Sequence, residues 1–318
     1  MFRVGIIGTG NMAEGIAWTL GKLKGMQCYA VASRSMERAQ KFAVKFRLKK
    51  YFGSYEEMFK ESEIDMIYIA TINICHKDQA LLCIKYGKPC LVEKPFCLNA
   101  KDAEYVINYA REKGVFIAEA MLTRYLPLLQ FIRENIKYIG EVKQIWGNIC
   151  INNMKTERVM NAELGGGALL DLGVYLLHFA DAIFEEEVET VSVNNASFIN
   201  GIDAEENIFL SYKSGKSANL HCSIKYSGNS DAFIYGTKGM IVVRDVYNFS
   251  LISVYNGRKL IKKKKRKYRS NGYEYELLAC KDAVKRKETE CDALNNNSIL
   301  RIMILTDKIR DIVYKNRC

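Results

Sequence analysis

The stretch FRVGIIGTGNMA, residues 2–13, decides the fold of the first part of the chain. A short apolar run is typical of a buried strand, and a glycine-rich turn follows it and opens a helical pattern. In such a turn Gly8 permits the tight bend, Gly10 lets backbone approach a pyrophosphate, and Ala13 lets helix and strand pack closely. The helix N-terminus then faces the phosphates. The residues predicted to bind a dinucleotide here are Gly8, Thr9, Gly10, Asn11, Met12 and Ala13. The alternative is a purely structural glycine turn.

The rest of the first third repeats this alternation. Apolar strands are predicted at residues 28–33, 65–70, 90–93 and 115–119, with helical patterns of about ten residues between them. Strands that alternate with helices indicate βαβ units and a parallel sheet with both faces covered. Residues 1–121 are therefore predicted to form a Rossmann dinucleotide-binding domain.

The pattern changes after residue 122. A strand-like run at residues 142–152 and a glycine-rich loop at 164–167 lead into a helix that ends near Phe184. Several β-rich runs then extend to about Ile261, and two helical patterns close the chain. This order predicts a second α/β domain, residues 122–318, with a large open, mixed and mostly antiparallel sheet backed by helices. For the last helix two positions are left open in this prediction, within the second domain or packed back on the first.

Composition narrows the class of protein. With 49% hydrophobic and 26% charged residues the chain is typical of a globular protein, and no uninterrupted run of 18 apolar residues predicts a membrane span. The ten cysteines form no C-x-x-C pair and no export signal precedes them, which favours a reducing cytoplasm. The three histidines are far apart, so neither a zinc site nor another metal site is expected.

The net charge of +11 depends strongly on the block at residues 262–267, next to Arg269. A solvated hairpin or loop face is the favoured interpretation of this block, over a nucleic-acid-binding patch. No helix-turn-helix, RNP-like or finger pattern accompanies the block. No nucleic-acid partner is therefore expected.

The end of the second strand, VASRS at residues 31–35, bears on the choice of coenzyme. A ribose 2′-hydroxyl favours an acidic residue at this point, and the stretch has none. Ser33 and Arg34 offer a hydroxyl and a guanidinium, which suit a 2′-phosphate. The sequence therefore favours NADP, with NAD as the alternative. The other interpretation of Arg34 is a surface arginine beside a helix cap formed by Ser35.

Five motifs occur in order along the chain: GIIGTGNMA, YIATINICH, LVEKP, EAMLTRYLP and GGGALLDLGVYLLHF. Together they resemble the glucose–fructose oxidoreductase/inositol dehydrogenase (Gfo/Idh/MocA) family, and within it the dihydrodiol dehydrogenase-like branch. The resemblance covers nearly the whole chain. It implies NAD(P)-dependent oxidoreduction of a small sugar, polyol or diol, and a homodimer or homotetramer formed through the second sheet.

The resemblance also implies roles for the strand-end residues of the first domain. Lys94 would lie beside the nicotinamide, with a cis bond to Pro95. His76 would either line the nicotinamide site or cap a helix. The further residues implied to contact the cofactor are Thr71, Asn73, His76, Glu93 and Lys94.

The catalytic residues implied are Lys94, Tyr175 and Asp171. On a helix Asp171, Tyr175 and His178 share one face. A tyrosine ordinarily titrates near a pKa of about 10, and a neighbouring ammonium favours its phenolate, so Tyr175 is the expected base and Lys94 its activator. His178 departs from the family pattern and is expected to be a core histidine. A core role is also the alternative for Tyr175.

The substrate-binding set is Lys94, Asp171, Tyr175 and Arg124, where Arg124 either touches substrate or anchors the connection between domains. The rival interpretations of the chain are a cofactor-binding sensor without turnover and, less favoured, a nucleic-acid-binding protein.

Overall fold

The computed structural model describes residues 1–268 and 270–315, so Arg269 and Cys318 lie outside the described residues. The chain forms two compact units. The first comprises Met1–Ala120 and Tyr268–Leu300, and the second comprises Met121–Lys267 and the chain from Arg301 onward.

The secondary structure alternates in the first third and becomes strand-rich afterwards. The strands are β1 (Phe2–Ile7), β2 (Met26–Ala32), β3 (Lys50–Phe52), β4 (Met66–Ile69), β5 (Cys90–Glu93), β6 (Ile117–Ala120), β7 (Val142–Cys150), β8 (Val188–Ile199), β9 (Ile202–Tyr212), β10 (Ser217–Ser223), β11 (Ala232–Gly236), β12 (Gly239–Arg244), β13 (Leu251–Asn256) and β14 (Lys259–Lys265). The helices are α1 (Asn11–Lys22), α2 (Met36–Phe46), α3 (Tyr55–Phe59), α4 (His76–Lys85), α5 (Ala100–Lys113), α6 (Leu122–Tyr125), α7 (Pro127–Asn135), α8 (Val174–Phe184), α9 (Tyr273–Lys285) and α10 (Asn296–Lys315).

The first unit is built on a six-stranded sheet in the order β3-β2-β1-β4-β5-β6, with every adjacent pair parallel. This is the strand order of a Rossmann fold, in which ligands bind outside the carboxyl ends of the strands where the order reverses. Every residue of β4, β5 and β6 is buried. Continuous apolar strands of this kind need cover on both faces, as the sequence predicts.

The first unit also contains residues 268–300, which the sequence analysis assigned to the second domain. Contacts to strands and helices of the first unit attach this segment. Glu276 of α9 lies within hydrogen-bond distance of Tyr68, Thr19 Oγ1 contacts Asn271 at 3.0 Å, and Ile117 N donates to the carbonyl of Thr289 at 3.1 Å. Helical periodicity shows which face of a helix is buried but not which sheet buries it, so the sequence could not assign α9.

The second unit is built on an eight-stranded sheet in the order β14-β13-β12-β11-β7-β10-β9-β8. Only β7 and β10 pair in parallel, so the sheet is mixed and mostly antiparallel, which confirms the predicted fold class. Its central strands alternate between buried and accessible residues. Ile145, Ile208 and Leu220 point into the core, whereas Trp146 is 53% exposed and Phe209 is 37% exposed.

The basic block at 262–267 falls largely on β14, which forms a hairpin with β13 at one edge of this sheet. Lys262 and Lys264 lie over the rings of Tyr138 and Phe131 at 4.7 and 5.0 Å. Lysines on an edge strand hinder pairing with a further strand, so the position of the block on β14 gives a structural explanation for its charge.

The apolar segment Ala162–Phe184 is long and apolar enough to cross a membrane by length and hydropathy alone. In the structure 89% of its apolar stretch is buried. Such burial is typical of the core helix of a globular unit.

Candidate active site

The glycine turn after β1 is shaped by its two neighbouring strands. Gly8 has a φ of 104°, and its N–H donates to the carbonyl of Ala32 at 2.9 Å. A Cβ at Gly8 would lie 2.4 Å from the carbonyl oxygen of Ala70. The fold itself therefore requires glycine at position 8.

Gly10 differs from Gly8 because the fold does not require its lack of a side chain. It is the N-cap of α1 with an extended backbone, and a Cβ there would meet no atom of the described residues within 4 Å. Gly10 and Asn11 are exposed, Thr9 and Met12 are partly buried, and Ala13 is fully buried against the strand. A group that approaches the helix N-terminus from outside would explain the glycine.

The end of β2 carries the side chains predicted to select the coenzyme. Ser33 is buried and its Oγ accepts the Ser35 N–H at 3.3 Å, whereas Arg34 is exposed. Ser35 caps α2, since its Oγ accepts the Arg38 N–H at 3.3 Å. The structure thus places a guanidinium at the end of β2, and the stretch 31–36 contains no carboxylate.

The loops after β4 and β5 are joined by His76, the first residue of α4. Its Nδ1 lies 2.8 Å from the carbonyl oxygen of Pro95, and its Nε2 lies 3.3 Å from that of Thr71. Burial lowers the pKa of His76, which favours the neutral imidazole. Thr71 Oγ1 also donates to Gln79 at 2.6 Å, and Asn73 is buried in the 3₁₀ turn before α4. A neutral imidazole carries one N–H, so His76 donates to one of the two carbonyls, and that of Pro95 is the nearer. This bond ties the start of α4 to the loop after β5.

Lys94 follows β5 at the carboxyl edge of the parallel sheet. Its peptide bond to Pro95 is cis, as the family resemblance implies. Its backbone N–H donates to Glu93 Oε2 at 3.2 Å, and Glu93 Oε1 accepts the hydroxyl of Tyr68 at 2.6 Å. Glu93 is buried and Lys94 is partly buried. The strand end is therefore held through the carboxylate that precedes the lysine.

In the second unit Asp171 lies in a π-helical turn, Leu169–Gly173, directly before α8. Its buried carboxylate accepts from Arg158 Nη1 at 3.0 Å and from Asn153 Nδ2 at 2.8 Å. Both partners come from the loop after β7. The sequence analysis missed them, because a loop arginine and asparagine carry no local pattern that points to a distant helix.

Tyr175 and His178 lie on α8, one turn apart. Tyr175 is partly buried, and His178 is 1% exposed. The sequence predicts one continuous helix here, whereas the structure has the π turn before α8, which alters the angular offset between Asp171 and Tyr175.

Asp203 holds the beginning of this helical segment. Its Oδ2 accepts the Leu169 N–H at 2.7 Å, and burial raises its pKa to about 6, although backbone hydrogen bonds oppose the shift. The sequence analysis also missed Asp203, which lies on β9 far along the chain.

Arg124 occupies the buried side of this unit. Its Nη1 donates to Asp181 Oδ2 at 2.8 Å and to the carbonyl of His178 at 3.2 Å, and Arg301 pairs with the same aspartate at 2.6 Å. These contacts hold Arg124 against α8 within the second unit.

Two family models match the chain. "Oxidoreductase family, NAD-binding Rossmann fold" matches residues 2–120, and the Gfo/Idh/MocA C-terminal domain matches residues 131–242. Trans-1,2-dihydrobenzene-1,2-diol dehydrogenase of Xenopus tropicalis is 35% identical over 75% of this chain and 74% of the relative. The scyllo-inositol 2-dehydrogenase (NADP(+)) of Bacillus subtilis (strain 168) is 33% identical over 78% of this chain and 77% of the relative.

Solved structures show the same fold at lower identity. Aldose-aldose oxidoreductase from Caulobacter crescentus superposes with a TM-score of 0.89 at 18% identity and covers 99% of this chain and 98% of its own. A 3-ketoreductase from Actinomadura kijaniata gives a TM-score of 0.84 at 21% identity, over 98% and 97% of the two chains.

The chain belongs to the Gfo/Idh/MocA family, as its motifs indicate. It is an oxidoreductase with a dinucleotide-binding Rossmann fold.

Proposed function

We propose that the protein is an NADP-dependent oxidoreductase that transfers a hydride between nicotinamide C4 and a carbon bearing a hydroxyl or carbonyl in a diol, polyol or sugar. The observation that carries this proposal is the match, over three quarters of the chain, to a 1,2-diol dehydrogenase and an NADP-dependent inositol dehydrogenase. Both named substrates carry adjacent hydroxyls. Residues 1–121 are proposed to bind the dinucleotide and residues 122–318 to bind the substrate, with 268–300 grouped with the first unit in the structure.

The proposed reaction needs one hydride acceptor and one proton acceptor. When bound, the nicotinamide would accept the hydride of the substrate C–H bond, and in this oxidising direction the hydroxyl proton would go to Tyr175. In the reducing direction Tyr175 donates that proton, and the Lys94 ammonium polarises the carbonyl oxygen. Asp171, held by Arg158 and Asn153, is proposed to orient the substrate. These roles follow from the family resemblance of the residues.

Catalysis by Lys94 and Tyr175 is tested with Lys94→Met and Tyr175→Phe. Each change should lower turnover about a hundredfold or more while leaving NADPH affinity near that of the unmodified protein, because each removes a group that acts on the reacting oxygen. NADPH fluorescence during a screen of diols, polyols and aldoses gives the rate, and a fluorescence titration gives the affinity.

Lys101→Met and Tyr105→Phe are matched controls, since both side chains are exposed on α5. Near-normal turnover in Tyr175→Phe would assign proton transfer to another group. Coenzyme binding without turnover of any compound in the screen would support the rival sensor function.

The preference for NADP is proposed to rest on Arg34, with Ser33 beside it at the end of β2. Arg34→Ala should weaken NADPH binding about tenfold or more and change NADH binding little, because only NADP carries the 2′-phosphate that a guanidinium can bind. Arg258→Ala, in the turn between β13 and β14, is the control. Equal losses for both coenzymes, or tighter NADH binding by the unmodified protein, would reverse the assignment. The remaining coenzyme contacts proposed are those of Gly8–Ala13, Thr71, Asn73, His76, Glu93 and Lys94.

A homodimer or homotetramer is proposed to form through the accessible face of the eight-stranded sheet. Exposed Trp146 faces Phe233 on one neighbouring strand and Asn219 on the other, and Asn219 in turn faces Phe209. Trp146 and Phe209 are exposed and Phe233 is partly buried, so three aromatic side chains lie along one row of this face. Accessible aromatic side chains of this kind are typical of a protein interface. Light scattering at micromolar concentration tests this, and a monomeric mass would contradict it.

A cytoplasmic location is proposed from the cysteines. The nine that lie in the described residues are free thiols, and eight of them are buried. Free thiols suit a reducing compartment. Cell fractionation tests the location, and recovery outside the cytoplasm would contradict it.

A further inference from the structure

A buried cluster of two carboxyl groups and a phenol lies directly behind Lys94, within the first unit. Tyr68 of β4, Glu93 of β5 and Glu276 of α9 form it, and both Tyr68 and Glu276 are 0% exposed. The Tyr68 hydroxyl lies 2.6 Å from Glu93 Oε1 and 3.2 Å from Glu276 Oε1. The proposed reaction uses none of these contacts, although the cluster ends at the residue before Lys94.

The hydrogen-bond geometry assigns the protons. A phenol has one proton to donate, and the shorter contact gives it to Glu93. At the second contact either the phenol shares its single proton between two carboxylates, or Glu276 Oε1 carries a proton and donates it to the phenol oxygen. The second arrangement gives each contact a proton of its own. The other oxygen, Glu276 Oε2, is buried and makes no hydrogen bond with any residue that the structure describes. If Glu276 were ionised, its buried negative charge would lack a compensating hydrogen bond at Oε2. A neutral carboxylic acid carries no such charge.

The electrostatic surroundings agree with this assignment. Burial raises the pKa of Glu276 well above its ordinary value, and the charge of Glu93 raises it further, whereas a hydrogen bond donated by Tyr68 to Glu276 would lower it. Burial and the two glutamates also raise the pKa of Tyr68, which keeps its proton. The groups that face Glu276 are Tyr68 from β4 and Glu93 from β5, and Tyr273 of its own helix acts on Tyr68.

We propose that Glu276 is a neutral carboxylic acid and that the hydrogen-bonded series from Glu276 through Tyr68 to Glu93 positions Lys94 for hydride transfer. Glu93 accepts a hydrogen bond from the Tyr68 phenol on one carboxylate oxygen and from the Lys94 backbone N–H on the other, at 3.2 Å. Because Tyr68 holds the Glu93 carboxylate in place, that carboxylate in turn holds the peptide group of Lys94. Glu276 and Tyr68 are positioning residues, and this role rests on the proposed oxidoreductase function. The hydrogen bond between Glu276 and Tyr68 also joins α9 to β4 and so helps to hold α9 in the first unit.

The protonation of Glu276 is tested without any reference to catalysis. In infrared difference spectra at pH about 7, wild type minus Glu276→Gln should show the C=O stretch of a protonated carboxylic acid. Glu274→Gln on the same helix is the matched control. Both Glu274 oxygens accept backbone N–H groups, from Ser270 at 3.0 Å and Gly272 at 2.8 Å, so it should show no such band. Absence of the band for Glu276→Gln would overturn the proposal.

The pH dependence of stability gives a second readout of the same proton. An acid with a raised folded-state pKa holds a proton that the unfolded chain releases above pH about 4.3, so its contribution to stability falls as pH rises toward the folded value. Glutamine does not titrate. The melting temperature of Glu276→Gln should therefore rise relative to wild type between pH about 5 and 9. Parallel melting curves over this range would contradict a neutral Glu276.

The positioning role is tested by kinetics. Glutamine keeps a donor toward the phenol, whereas Glu276→Met and Tyr68→Phe break the hydrogen-bonded series at similar volume. Glu276→Met and Tyr68→Phe should each lower kcat about tenfold and leave NADPH affinity unchanged. Glu276→Gln should keep most of the kcat of the unmodified protein. Unchanged kcat in both breaking variants, or equal kcat in the glutamine and methionine variants, would overturn the role. Complete inactivity of the wild type toward diols, polyols and sugars would instead contradict the proposed function, and the infrared result would still stand.

Discussion

The two sheets of this protein follow opposite rules of burial. In the parallel sheet β4, β5 and β6 are buried at every residue, and the polar side chains cluster where the strands end. In the eight-stranded sheet the central strands alternate, so one set of side chains enters the core and the other, including Trp146 and Phe209, remains accessible. Parallel strands need cover on both faces, whereas an antiparallel sheet can leave one face open.

This difference decides where each sheet can contribute to function. The parallel sheet can expose functional groups only at the carboxyl ends of its strands. The residues just beyond such strand ends are Lys94, Thr71, Ser33 and Gly8. The second sheet offers a whole face, and its polar groups proposed for chemistry come from the helical segment before and within α8 instead. Substitutions that respect or violate these two rules should therefore have very different effects.

The largest difference is expected between Ile67→Ala and Trp146→Ser. Ile67 lies in the middle of β4 and is 0% exposed, so its truncation leaves a cavity and should lower the free energy of unfolding by about 2–5 kcal/mol. Trp146→Ser on the open face should change it by less than about 1 kcal/mol in the dissociated chain but shift the oligomer toward monomer. Urea unfolding and light scattering measure the two effects. Comparable destabilisation by both changes would remove the contrast between the sheets.

A smaller effect separates the two glycines of the first turn. Gly8→Ala forces a side chain into a positive-φ backbone against Ala70 and should cost about 1–3 kcal/mol of stability, together with coenzyme binding. Gly10→Ala should leave stability within about 0.5 kcal/mol and still weaken NADPH binding about tenfold, because its Cβ meets only an approaching ligand. Urea unfolding and NADPH titration distinguish the two. Normal NADPH binding by Gly10→Ala would show that the pyrophosphate does not approach there.

The smallest effect on stability is expected at the edge of the open sheet. Replacing Lys263 and Lys265 of β14 with valine should change the free energy of unfolding by less than about 0.5 kcal/mol but speed aggregation, since charged side chains on an edge strand hinder further pairing. Turbidity during heating measures this. Lys213→Val, in a turn, is the control, and an equal aggregation rate in both would contradict a protective role for the edge lysines.

Much of the fold could be predicted from local pattern. The strand predicted at 90–93 coincides with β5, the strand predicted at 65–70 is one residue longer than β4 at each end, and the helix predicted after Gly10 begins within a residue of α1. For the block at 262–267 the sequence left a hairpin or a loop face open, because its lysines conceal the β pattern, and the pairing of β14 with β13 makes it part of a hairpin. The π turn before α8 was missed as well, since it differs from an α-helix in hydrogen bonding and not in composition.

The candidate site divides in the same way. The sequence by itself determined the residues that stand at strand ends and helix starts, Gly8, Gly10, Ser33, Arg34 and Lys94, because a parallel βαβ array places such positions at one edge of its sheet. Only the tertiary structure decided which side chains hold them. Arg158 and Asn153 on Asp171, Asp181 on Arg124 and Glu276 behind Glu93 are all distant in the chain. Burial and proton sharing depend on neighbours in space, and a local pattern carries no record of those neighbours.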